Sequence, residues 1–265
     1  MTPNIANTAN GAYLELLRTM IGPGTILSKP RDRHTAEIIA YVSCVDMRSP
    51  IVTLPDRNLD YNFMAAEAHW ILRGEKSLDH PVLERNLSKY SDDGKTMSGA
   101  YGPPFVEQLQ YVVDKLKEDR DTRQAVMTLW RRKPKASKDI PCTVSIQFIP
   151  RKGRMHTNVF MRSSDAWLGW PYDIFTFTMM THMVRCQFDK TLDMGALQLF
   201  AGSQHLYSRK FQDAKLVVNQ AVGGMILAID NARVNTPASI MCALDTIRTV
   251  HSELALPQIK ALLCQ

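Results

Sequence analysis

Between Asp139 and Ile174 the chain sets out a thiol, a guanidinium and two carboxylates at short spacing. The runs are Ile140-Pro141-Cys142-Thr143, Met161-Arg162-Ser163-Ser164-Asp165 and Leu168-Gly169-Trp170-Pro171-Tyr172-Asp173-Ile174. A thiolate adds to electron-poor carbon, a neighbouring cation favours the thiolate, and a carboxyl can read a ring edge or move its protons. Together these are the parts needed to attack an electron-poor heterocycle and hold it in register. Each also has a plain reading. By alternation Cys142 shares a strand face with Val144, Ile146 and Phe148, where an unpaired cysteine is a small core residue. Asp173 suits the first turn of any helix.

A third carboxylate stands on an apolar stripe. Phe63 and Met64 lie four and three positions before Glu67, and Trp70 and Ile71 three and four after it. Burying a carboxylate is costly unless it is paired or protonated, so Glu67 is either satisfied by an arginine or helix end, or functional.

These runs resemble the thymidylate synthase family, over roughly Ala12 to Gln220. In that family the nucleophilic cysteine follows a proline, and the nucleotide-binding run reads Arg-Ser-x-Asp-x-x-Leu-Gly-x-Pro. The resemblance implies that Cys142 adds to carbon 6 of a pyrimidine so that carbon 5 can attack a one-carbon donor, 5,10-methylenetetrahydrofolate. Glu67, in a Glu-x-x-Trp-x-Leu-x-Gly context with Trp70, Leu72 and Gly74, would organise waters and move protons. Arg162 and Ser163, with Arg123 of the partner subunit, would bind the phosphate of a nucleoside monophosphate. His205 and Tyr207 would hold the sugar 3′-hydroxyl, and Tyr101 would stand near the thiol. Asp165, Leu168, Gly169 and Tyr172 would line the folate site. A homodimer with shared active sites is implied as well.

The departures from the family are informative. Uracil-specific synthases carry Asn where this chain carries Asp173. Uracil presents an N3–H donor and an O4 acceptor, whereas cytosine presents an N3 acceptor and an N4 amine. A carboxyl accepts from the amine and, when protonated, donates to N3, which also makes carbon 6 more electrophilic. Asp here resembles the cytosine-nucleotide hydroxymethylases. The family's paired arginines before its Val-x-x-Trp strand read Arg123-Gln124. Its early Arg-Thr-Gly-x-Gly-Thr loop reads Met20-Ile21-Gly22-Pro23-Gly24-Thr25, with Arg18 displaced. Two tryptophan positions fall near Leu87 and Tyr90, and loss of an indole would favour attack by water on the bound methylene. The resemblance thus implies 5-hydroxymethyl-dCMP as product. Methylation of dCMP with release of dihydrofolate, a CMP version and a silent nucleotide- or messenger-RNA-binding member stand as alternatives.

Composition sets the frame. At 265 residues with 45% hydrophobic content, the chain suffices for one domain with a sizeable core. A net charge of +6 suits small anionic substrates. The basic residues from Arg131 to Lys138 read as a solvated loop, so no nucleic-acid substrate is expected. Cys44, Cys142, Cys186, Cys242 and Cys264 form no CxxC pair and no metal-ligand spacing. An odd count without a secretory signal points to reduced thiols in a cytoplasmic compartment. The apolar run Ala221 to Ile229 is too short to span a bilayer.

Periodicity predicts helices over Ala12–Ile21, Asn62–Leu72, Pro104–Lys117, Tyr172–Gln187, Arg209–Gln220, Thr236–Val250 and Ser252–Leu263. Strands are predicted over Gln124–Trp130 and Thr191–Phe200, and a hairpin joins Thr143–Ile149 to Met155–Met161. Residues 1–11 read as a polar tail, Ser91–Pro104 as a loop, and 221–265 as a segment outside the resemblance. Separated helices with an antiparallel hairpin give an α+β layer fold. The resemblance refines this to a mixed, mainly antiparallel sheet covered by helices, with a dimer through the sheet.

Overall fold

Lys152 and Gly153 both take positive φ, 49° and 72°, the two-residue turn whose twist matches that of paired strands. The chain therefore doubles back there, and the resulting hairpin stands inside the sheet. The computed structural model describes residues 8–133, 135–220 and 225–264. In chain order it runs α1 (Ala9–Met20), β1 (Ile26–Ser28), β2 (Thr35–Asp46), α2 (Tyr61–Leu72), α3 (Pro81–Leu87), α4 (Gly102–Glu118) and β3 (Val126–Thr128). It continues through β4 (Thr143–Arg151), β5 (Arg154–Met161), β6 (Ser164–Asp165), α5 (Trp170–Phe188), β7 (Asp193–Tyr207), α6 (Phe211–Asn219), α7 (Pro237–Thr249) and α8 (Ser252–Leu263).

The strands lie in the order β1-β2-β7-β5-β4-β3, with β6 also on β7. All neighbours are antiparallel except β5/β7 and β6/β7. Parallel neighbours need a crossover, and α5 supplies it. The α+β expectation of a mixed, mostly antiparallel sheet covered by helices is therefore met. Helix α5 has no polar face. From Ile174 to Arg185 every residue is buried, so the helix runs through the core between the sheet and α2, α4 and α7. On the other face of the sheet, Val42, Phe200 and Phe160 form a row across β2, β7 and β5. The two phenyl rings stack at 4.9 Å, and Val42 and Phe160 are exposed.

Several boundaries differ from the expectations. The tail was expected to reach residue 11, but Thr8 accepts the Gly11 N–H and caps α1 at Ala9. Asn10 is buried, giving its amide to Thr53 Oγ1 at 2.9 Å and accepting the Thr53 N–H at 2.8 Å. Residues 1–7 of that tail, and 221–224 of the apolar run, lie outside the described residues. The strand expected over Gln124–Trp130 shortens to β3, and the one expected to end at Phe200 continues to Tyr207. Strand β2 and helix α3 were not anticipated. No helix among the described residues is long and apolar enough to cross a membrane.

The C-terminal helices close against α2. Asn62, buried in the first turn of α2, donates to the carbonyl oxygens of Ile247 and Val250 at 2.9 and 2.8 Å, which satisfies the end of α7. Two turns on, His69 Nε2 stands 3.7 Å from the Asp245 carboxylate.

Candidate active site

The sheet delivers the ends of β4, β5 and β7 to one place. Cys142 immediately precedes β4, and its carbonyl accepts the Arg162 N–H at 2.9 Å, just past the end of β5. A β-bulge between Thr143 and Ser145 advances the side-chain alternation by one. Thr143, rather than Cys142, thus joins Ile146 and Phe148 in the fully buried row. The expected sharing of a face with Ile146 and Phe148 is corrected by that bulge, which leaves the thiol half-buried beside the core.

Arg162 is pinned over the thiol. Its Nε donates to the Pro141 carbonyl at 2.9 Å and its Nη2 to the Ile140 carbonyl at 3.0 Å, and Nη2 lies 3.7 Å from Cys142 Sγ. The Trp130 ring lies 5.8 Å from its guanidinium carbon. Burial pushes the Cys142 thiol up; the Arg162 charge opposes that, while Asp173, Asp139 and Asp165 reinforce it. The Arg162 cation is thus already in place beside the thiol.

Tyr101 precedes α4, its hydroxyl accepting the Thr143 N–H at 3.2 Å and its ring stacking on Phe177 of α5 at 6.4 Å. Burial, then Cys142 and Asp173, push its hydroxyl well above the usual phenol range. Asp173 lies in the first turn of α5 and is half-buried. Burial, then the charge of Asp165, raise its carboxyl to about 7. Glu67 on α2 is likewise half-buried, and burial followed by the Asp173 charge raises it to about 8. The Asp173 charge thus bears on the ionisation of the thiol, the phenol and the Glu67 carboxyl alike. Near neutral pH the carboxyls hold protons they can donate.

Beside this group, β6 and β7 carry a polar rim. The Ser163 hydroxyl lies 3.2 Å from His205 Nδ1, and His205 Nε2 is 4.0 Å from Asp165 Oδ2. Tyr207 meets His205 edge-on at 5.3 Å. Asp165 uses Oδ1 to accept the N–H groups of Trp167 and Leu168 at 2.8 and 2.9 Å, a tight turn that carries the chain into α5. Leu168 on that turn is 40% exposed. A Cβ on Gly169 would come within 3.2 Å of Asp173 Oδ2, so glycine keeps that carboxyl clear. Tyr172 accepts the Asp60 N–H at 3.2 Å and packs edge-on against Phe63.

Of the residues singled out from the sequence, Cys142, Glu67, Asp173, Arg162, Ser163, His205, Tyr101, Asp165, Leu168, Gly169 and Tyr172 gather here, with Tyr207 at the rim. Arg123 does not. Its carbonyl accepts from Gln147, beyond the Val126–Gln147 pair and away from the Cys142 end of β4.

One further residue escaped sequence reasoning. Arg57, only 6% exposed, donates through Nε to Tyr13 Oη at 2.9 Å and through Nη2 to the Trp167 carbonyl. Its guanidinium carbon lies 4.4 Å from the Trp167 ring centre, so it supports the Asp165–Gly169 turn from behind. A buried arginine leaves no periodic trace, and only its place just before an apolar helix could have hinted at it.

Residues 11–236 match the family model described as thymidylate synthase, a span that takes in every side chain of this group. The chain accordingly belongs to the thymidylate synthase family, whose members transfer a one-carbon unit from methylenetetrahydrofolate to carbon 5 of a pyrimidine nucleotide.

Proposed function

We propose that this enzyme is a deoxycytidylate 5-hydroxymethyltransferase. The observation that carries the proposal is Asp173, a half-buried carboxyl whose charge bears on the Cys142 thiol and whose own proton burial holds to about pH 7. A protonated carboxyl donates to N3 of cytosine through its hydroxyl and accepts from the N4 amine through its carbonyl oxygen. An amide at that position would suit uracil instead.

In this reading Arg162 and Ser163, with Arg123 of the partner subunit, hold the 5′-phosphate, and His205 with Tyr207 hold the 3′-hydroxyl. Cys142 gives its proton to solvent water, Sγ bonds to carbon 6, and the ring electrons shift onto N3, which takes the Asp173 proton. Carbon 5 is thereby made nucleophilic. Glu67 moves protons and holds water at the carbon 5 side, and Tyr101 keeps a hydroxyl beside the sulfur. Asp165, Leu168, Gly169 and Tyr172 line the folate position, where 5,10-methylenetetrahydrofolate supplies the carbon at the formaldehyde oxidation level. The tryptophans are Trp70, Trp130, Trp167 and Trp170, so neither Leu87 nor Tyr90 offers an indole to shield the methylene from water. That supports hydroxymethyl over methyl as product. The Val42–Phe200–Phe160 row, exposed at Val42 and Phe160, supports a homodimer through the sheet.

Asp173→Asn tests the base assignment: selectivity should move from dCMP toward dUMP, and unchanged selectivity would defeat the role. Cys142→Ala should abolish tritium release from [5-³H]dCMP, and continued release would exclude the thiol as nucleophile.

A further inference from the structure

The segment entering Cys142 is tied to the loop entering Tyr101 by carboxylates that the proposed chemistry leaves without a task. Asp139 Oδ2 accepts the Gly99 N–H at 2.6 Å. Gly99 has no room for a side chain, since a Cβ there would stand 2.9 Å from Pro141 N and 3.0 Å from Asp139 Oδ1. Beneath this contact, Asp92 Oδ1 accepts the Lys138 N–H at 2.9 Å, and its Oδ2 accepts the Ser137 hydroxyl at 2.6 Å and the Ser98 hydroxyl at 3.4 Å. Ser137 Oγ in turn accepts the Asp139 N–H at 3.0 Å. Two residues beyond Gly99 is Tyr101, whose hydroxyl meets Thr143; three residues beyond Asp139 is Cys142. The ring Gly99–Tyr101–Thr143–Cys142–Asp139 closes through the bond from the Gly99 N–H to the Asp139 carboxylate, while Asp92 ties Ser98 to Ser137 and Lys138 farther from the thiol.

We propose that Asp139 is a positioning residue for the nucleophile, fixing Cys142 in register with Tyr101 through Gly99. A carboxylate three residues before the thiol also disfavours the thiolate when it is charged. The two effects are separable. Registry needs only an acceptor oxygen opposite Gly99, whereas the electrostatic effect needs the charge. Asp139 is half-buried, and burial pushes its carboxyl up; Asp92 adds to this, and the Gly99 N–H and Arg131 oppose it. The thiol is faced by Arg162 after β5, Asp165 of β6, Asp173 of α5, Tyr101 ahead of α4 and Asp139 itself, with Glu67 of α2 reaching it through Asp173.

The proposal rests on Cys142 being the nucleophile, so two readouts are taken on the full-length enzyme. One is the pH dependence of Cys142 alkylation by iodoacetamide, followed by peptide mass spectrometry, which requires no nucleotide. The other is kcat and KM for dCMP. Asp139→Ala and Asp139→Asn both remove the charge, so both should shift the alkylation midpoint to lower pH. Only Asp139→Asn keeps an acceptor for Gly99. Its kcat should stay within about tenfold of the parent, whereas Asp139→Ala loses on the order of 10²-fold in kcat with little change in KM. Gly99→Ala strikes the same contact from the other side and should lose kcat as Asp139→Ala does, without the downward midpoint shift. It serves as the test if Asp139→Ala fails to fold. Parental kcat in both Asp139→Ala and Gly99→Ala, or an unmoved midpoint in Asp139→Asn, overturns the proposal. Turnover persisting in Cys142→Ser would instead overturn the assignment of the nucleophile.

Discussion

Glu67→Gln should make the free enzyme more stable while disabling it, and the gain should grow with pH. The folded protein holds the Glu67 proton to about pH 8, against an ordinary value of 4.5. The folded state therefore binds a proton that the unfolded chain gives up across that window. Stability is lost as pH rises through it, and the full penalty is present above pH 8. Each pH step of one is worth about 1.36 kcal/mol, so at pH 7 the ceiling is about 3 kcal/mol. Water in the cleft and the hydrogen-bonding needs of the new amide reduce this to about 2 kcal/mol, or roughly 4–8 °C in melting temperature for a chain of this size. The assay is the melting temperature of parent and variant from about pH 5 to about pH 9 at one protein concentration, since any dimer ties stability to concentration. The curves should nearly coincide at the acid end and separate up to about pH 8, while turnover drops by about 10²–10⁴-fold. A separation that stays constant with pH, or a variant less stable than its parent at the alkaline end, would refute the argument.

Other consequences are testable at modest effort. If Asp173 donates its proton to N3 as proposed, kcat/KM for dCMP should fall as pH rises past about 7, and Asp173→Asn should lose that limb along with the substrate preference. Asn62→Ala removes both donors to the end of α7 and should cost about 2 kcal/mol in urea unfolding; a loss under about 0.5 kcal/mol would show the bonds to be incidental. Ala40 sits in β2 with φ at 56°, a strained value for any residue with a side chain. Ala40→Gly should therefore stabilise by up to about 1 kcal/mol, measured the same way, and a destabilised variant would contradict the strain.

What could be read in advance follows from where period and chemistry coincide. From Ser145 to Met161 the hairpin alternates around a glycine turn, α4 shows an apolar stripe and α5 a long, mostly apolar run, so all three were legible. Strand β2 was not. Its adjacent Ile38 and Ile39, and then the left-handed Ala40, break the period of two on which a strand is recognised. Helix α3, at seven residues, is too short to display a period of 3.6. The chemical residues were legible as types and spacing, but their orientation was not. The bulge at Thr143 reverses which side chain faces the core beside Cys142, and no local signal announces it. Arg57 and Asp139 were passed over because charged residues are mostly exposed, and both matter here because they are not.

The pairing of β2 with β7 joins residues that lie about 150–170 positions apart, from Asp46 with Ala196 to Thr35 with Tyr207. At ribosomal speeds of about 5–20 residues per second, β2 leaves the tunnel on the order of ten seconds or more before its partner exists. During that interval a twelve-residue strand rich in Ile and Val presents an open edge on which a neighbouring nascent chain could template. Glu37 and Asp46 place a carboxylate near each end of that edge, the kind of gatekeeping charge that discourages such pairing. Overproduction in a fast-translating host should therefore yield more insoluble material than slow induction at low temperature.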